Sequence, residues 1–158
     1  MHIFIYDEYE NTMKVSQKTN YALRAMLELA RSEVTVGSAR TAQLAAGADI
    51  PEKYLEAIMV ELNRAGLIES RRGPAGGHRL ARAPALVTAA QIIAAVEGPI
   101  KLSTESRPRA RGARELSDTT MELWDDVRTA IQRVLDSVTL EDMLKRAQAR
   151  RGVLDFAI

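Results

Sequence analysis

The chain of 158 residues contains no cysteine. That absence excludes disulfides, thiol nucleophiles, zinc sites built on cysteine and iron–sulfur clusters held by thiolates. Aromatic residues are also scarce, with two Phe, four Tyr and one Trp, so a core has to be built from Leu, Ile, Val, Ala and Met. No apolar run approaches the roughly 20 residues that span a bilayer. Ile3-Phe4-Ile5-Tyr6, followed by Asp7-Glu8, is too short and too acidic for a signal peptide. A soluble, cytoplasmic protein with no membrane partner is expected.

Apolar residues make up 46% of the chain and charged residues 27%, enough for one ordinary domain, or a small domain with an appended oligomerisation element, and against disorder. Net charge is only +1, from 22 Lys and Arg against 21 Asp and Glu, so affinity for a polyanion depends on where the charges sit. Residues 14–82 hold eleven bases and seven acids, 101–114 five bases and one acid, and 115–142 two bases and eight acids. The front of the chain is basic and the rear acidic.

From Lys18 to Arg31, Tyr21, Leu23, Ala25, Met26, Leu27, Leu29 and Ala30 recur at near-helical spacing, with Arg24, Glu28 and Arg31 on the wet side. Residues 34–38 break this first helix. A short second helix over Thr41–Ala46 is expected to end with Gly47 as its C-cap. A third opens around Asp49-Ile50-Pro51 and ends at Gly66. Its apolar stripe is Leu55, Ile58, Met59 and Leu62; the opposite face carries Glu52, Lys53, Glu56, Ala57, Val60 and Asn63. Two helices joined by a tight turn predict a helix-turn-helix.

After Gly66, residues 67–72 alternate as a strand, Gly73-Pro74-Ala75-Gly76-Gly77 is a turn, and 78–82 return, which predicts a β-hairpin or wing. Its excess glycine fits close backbone approach to something outside the protein. A fourth helix is expected over about Thr88–Glu97. Residues 99–117 lack apolar periodicity and read as a flexible basic linker. From Asp118 to Val138, Met121, Trp124, Val127, Ile131, Val134 and Val138 form a stripe whose natural partner is the same helix of a second subunit. Thr139-Leu140-Glu141-Asp142 has capping-box spacing and opens a last short helix, with Lys145, Arg146, Arg150 and Arg151 at its end. The predicted fold is mainly α with a small β-hairpin, a winged helix-turn-helix plus a long dimerisation helix.

A helix of this kind fits the major groove of double-stranded DNA, and arginine at a hairpin tip can enter the electronegative minor groove. Lys53, Tyr54 and Glu56 on the third helix, and Arg71, Arg72, Gly73, Gly76, Gly77, His78 and Arg79 in the hairpin, are the candidate DNA-binding residues. The alternative is a winged-helix module that holds a protein partner. No catalytic reading survives: the two histidines, His2 and His78, are far apart and lack metal-ligand spacing, which leaves His78 solvated or facing DNA, and Asp125-Asp126 lies on the wet side of a helix. The glycine-rich turn lacks the Gly-Lys-Ser/Thr ending of a phosphate loop.

Met13-Lys14-Val15-Ser16 with Tyr21-Ala22, then Tyr54-Leu55-Glu56, Ala65-Gly66-Leu67-Ile68, Arg72-Gly73-Pro74-Ala75-Gly76-Gly77, Glu97-Gly98-Pro99 and Leu135-Asp136-Ser137-Val138-Thr139-Leu140 together resemble the Rrf2 family of bacterial winged-helix repressors. The resemblance covers residues 13 to about 145. It implies a homodimer reading a roughly palindromic operator, with a DNA-binding domain over 13–98 and dimerisation helices over 118–145. It further implies that Glu56 is a base-contacting acid and Arg72 a minor-groove arginine. His78 stands where the family usually has Tyr.

Many members of that family carry an iron–sulfur cluster on three cysteines before the long helix. Here the corresponding places fall near Ser106, Gly112 and Asp118, so no cofactor is expected. Either the chain belongs to the cluster-free branch, which includes repressors of cysteine metabolism, or it is a regulator of iron or redox genes whose ligands have been lost. Residues 1–12 precede the resemblance and read as an upstream extension, with a small added strand as the alternative. In the tail, 146–158, Phe156 and Ile158 either pack back on the dimer or, as the resemblance implies, serve as a C-terminal peptide for a cysteine synthase.

Overall fold

The computed structural model describes residues 15–102 and 111–155, and in these the side chains of 34–36, 111 and 153–155 are not described. The expected extension over 1–12, Ser106 and the tail residues Phe156 and Ile158 lie outside the described residues. Helix α1 spans Gln17–Val36, α2 Thr41–Ala48 and α3 Glu52–Arg64; strands β1 (Ile68–Arg71) and β2 (Gly77–Leu80) follow, then α4 (Ala89–Glu97), α5 (Arg111–Ser137) and α6 (Leu140–Asp155). The mainly helical fold with one antiparallel hairpin is the expected one, and none of the described helices is long and apolar enough to cross a membrane.

The core is aliphatic, as the scarcity of aromatics requires. Met26 and Leu29 of α1, Leu44 of α2, Leu55, Ile58 and Leu62 of α3, Ile92 of α4 and Leu140 at the start of α6 are all buried in one cluster. The predicted α3 stripe of Leu55, Ile58, Met59 and Leu62 is buried in full. Lys18 fastens α1 to its neighbours: its Nζ donates to Glu61 Oε1 of α3 at 2.9 Å and to the Val96 carbonyl of α4 at 2.8 Å. The capping box at Thr139 forms as expected, with Thr139 N donating to Asp142 Oδ2 at 2.9 Å and Asp142 N donating to Thr139 Oγ1 at 3.1 Å.

Four boundaries differ from expectation. Helix α1 continues through Val36 and stops only where Gly37 turns left-handed, at φ 79°. Gly47 is inside α2 rather than at its cap, which is Asp49 at φ 52°; a Cβ on Gly47 would lie 2.4 Å from Glu28 Oε1, so a side chain there would displace the end of the Glu28 side chain. Helix α5 begins at Arg111, within the expected linker, because Ala113, Arg114, Glu115 and Leu116 are good helix formers and an exposed helix needs no apolar period. Helix α6 runs on through 146–155, with no base in its last turn. Ala147 to Arg151 again favour helix, and Lys145, Arg146, Arg150 and Arg151 therefore lie along it rather than at its end.

Candidate nucleic-acid interface

The hairpin is set by register: Ile68 pairs with Leu80, Glu69 with Arg79, Ser70 with His78 and Arg71 with Gly77. Ile68 and Leu80 anchor it in the core. A bridge extends it, for His78 N donates to the Ala39 carbonyl at 2.8 Å and Ala39 N donates to the His78 carbonyl at 3.0 Å. The segment between α1 and α2 thus acts as a third edge of the wing.

Two of the turn's glycines are required by the protein's own backbone. A Cβ on Gly76 would lie 2.5 Å from the Arg71 carbonyl oxygen, and one on Gly77 would lie 3.0 Å from the Ala39 carbonyl oxygen. Gly73 has open space around it but adopts φ 105°, a backbone that L side chains rarely take. Close internal packing thus accounts for Gly76 and Gly77.

His78 is half-buried, with both ring nitrogens engaged. Its Nε2 is 2.9 Å from Thr41 Oγ1 on α2 and its Nδ1 is 2.7 Å from Ser70 Oγ on β1. Burial holds the imidazole below its ordinary pKa. Arg79 is engaged across the strands, its Nε donating to Glu69 Oε2 at 2.8 Å. Arg71 and Arg72 are exposed and have no ion-pair partner among the described residues. Of the wing cations singled out, these two are the ones left for a polyanion.

On α3, Lys53, Tyr54 and Glu56 are all exposed, Tyr54 at 67%. The Tyr54 ring meets Tyr21 of α1 edge-on, with centroids 6.4 Å apart. Two arginines that sequence reasoning missed hold this assembly in place. Arg24 donates from Nη2 to the carbonyls of Ala48 and, at 2.9 Å, of Asp49, capping α2 at the turn into α3. Arg40 Nη2 donates to the Pro74 carbonyl at 2.8 Å, tying the start of α2 to the wing turn. Nothing local signals either contact, since they join residues 24 and 34 apart in sequence.

Comparison with known proteins settles what this assembly belongs to. Residues 15–146 match the family described as "Rrf2: Iron-dependent Transcriptional regulator". The chain is a member of the Rrf2 family. As such it is a DNA-binding helix-turn-helix transcriptional regulator and not an enzyme. It is 37% identical over 149 residues to the HTH-type transcriptional regulator CymR of Bacillus subtilis, covering 92% of this chain and all of the relative. The solved structure of that CymR, called there the global cysteine regulator, superposes with a TM-score of 0.68 at 36% identity over 85% of this chain and 98% of the other. The structure of T. potens IscR gives the same TM-score and identity over 85% and 88%.

The iron in the Rrf2 description finds no thiolate ligand in this chain. Cysteine is absent throughout. Of the places that the resemblance brings near a ligand set, Gly112 has no side-chain donor atom, and Asp118, exposed on α5, offers only hard oxygens. Among the described residues no group of three or more His, Asp or Glu is placed to hold a metal ion. The residues present do not fit a thiolate-held cluster.

Proposed function

We propose that this Rrf2 regulator is a homodimeric, cytoplasmic repressor that reads a palindromic operator without an iron–sulfur cluster and governs genes of sulfur or cysteine metabolism. The observation that carries the DNA reading is the pairing of an exposed α3 face, Lys53, Tyr54 and Glu56, with a braced wing whose Arg71 and Arg72 are unpaired. Glu56 accepts from a cytosine amino group in the major groove, and Arg72 enters the minor groove. Gly73, Gly76 and Gly77 shape the turn that presents it, while His78 and Arg79 act from behind by bracing the wing. Residues 13–98 form the DNA-binding unit, 99–117 connect it, and 118–145 pair the subunits.

A gel-shift titration against the promoter of the protein's own gene tests the docking. Arg72→Ala should weaken binding about ten-fold, and Glu56→Ala should relax preference at one base pair by about 1–3 kcal/mol. Wild-type affinity should fall steeply with salt as phosphate counterions are released. Two variants indistinguishable from wild type would contradict the docking, and no DNA affinity at any salt would favour a protein-interaction module.

Similarity to the cysteine regulator CymR supports the sulfur assignment. The same reading gives Phe156 and Ile158, with the terminal carboxylate, to a cysteine synthase as a peptide ligand. Removal of Ile158 should abolish enzyme binding in calorimetry and leave DNA affinity unchanged; enzyme binding that survives the deletion would sink that part.

A further inference from the structure

The outer face of α3 is not uniformly polar. At about 100° per residue, Lys53, Glu56, Ala57 and Val60 fall within an arc of roughly 100°, opposite the buried Leu55, Ile58, Met59 and Leu62. Ala57 is exposed, and Val60 is 56% exposed. Neither side chain can donate or accept a hydrogen bond. Placed against the edge of guanine, cytosine or adenine, this apolar pair would strip water from donors and acceptors and return nothing. The thymine C5-methyl is the apolar group that the major groove presents. The pair therefore selects thymine twice over, by contact with the methyl and by rejection of polar edges.

We propose that Ala57 and Val60 are specificity-determining residues that read a thymine methyl next to the cytosine read by Glu56. The inference rests on the docking of α3 in the major groove described above. Val60 lies four residues beyond Glu56, an advance of about 6 Å against a base-pair rise of about 3.4 Å. The thymine is thus one or two steps from the cytosine in each half-site.

Deoxyuridine in place of thymidine removes that methyl and keeps the pairing, which makes it the probe. The duplex is the one enriched from random DNA by the full-length protein, with half-site thymines replaced singly. Wild-type affinity should fall about four-fold for each half-site at the position one or two steps from the Glu56-dependent cytosine, the value of one buried methyl group. Val60→Ser should bind the thymidine and deoxyuridine duplexes equally, and a circular-dichroism melt matching the wild type's reports that it is folded. A wild type indifferent to every replacement, or a Val60→Ser variant that keeps the full methyl preference, overturns the inference while leaving Glu56 discrimination intact. If Glu56→Ala kept wild-type preference at every position, the docking and the inference would both fall.

Discussion

The imidazole of His78 bonds to hydroxyls on two different elements, Ser70 of β1 and Thr41 of α2, and Arg40 and Arg71 line the same cleft. Its burial favours the neutral ring, so the folded-state pKa lies below that of an unperturbed imidazole, about 6.5. The contribution to stability is then complete above the unfolded value and is lost as pH falls from there through the folded pKa. Chemical denaturation at about pH 7.5 and about pH 5.5 should show the wild type losing more stability over that interval than His78→Gln, whose side chain does not titrate. Equal losses in the two proteins would mean that the ring is not held neutral by the wing.

At the scale of elements, what the sequence made legible is what local physics decides. The α3 stripe shows because burial on one helix face imposes a period of three and four, and all four of its residues are buried. The Thr139 box shows because its donors and acceptors are three residues apart. The start of α5 does not show, since a solvent-exposed turn carries no apolar signature. The end of α2 does not show, because a glycine inside a helix looks the same in sequence as one used for a left-handed cap, which here is Asp49. In the candidate interface the exposed residues were readable, but the partners were not. Glu69 neutralises Arg79, and Arg24 and Arg40 lock the turn and the wing through contacts between distant segments.

For the whole molecule the decisive feature is a helix with too little to lean on. Met121, Trp124 and Val134 of α5 remain 40%, 38% and 61% exposed, while Val127, Ile131 and Val138 of the same stripe are half-buried. Scattered apolar residues on a surface are ordinary, but a continuous stripe along one helix points to a partner. In sedimentation at micromolar concentration the wild type should be a dimer, and Ile131→Asp, which sets an unpaired charge in the seam, should be a monomer. Operator affinity of that variant should drop at least ten-fold, because each half-site must then be bound alone. A monomeric wild type would refute the pairing.

The chain leaves α5 through a clamp: Ala89 N donates to the Val138 carbonyl at 2.9 Å and Leu140 N donates to the Val87 carbonyl at 2.8 Å, with Leu140 itself fully buried. In a dimer paired through α5, this joint converts the crossing of two long helices into a distance between two recognition helices. With 27 residues the helix is about 40 Å long, and a tilt of about 5° at the clamp carries its far end through about 3.5 Å, close to one base-pair rise. In the proposed dimer the bases of an operator are chosen on α3 and the gap between its halves on α5, so base preference and half-site spacing can change independently of each other.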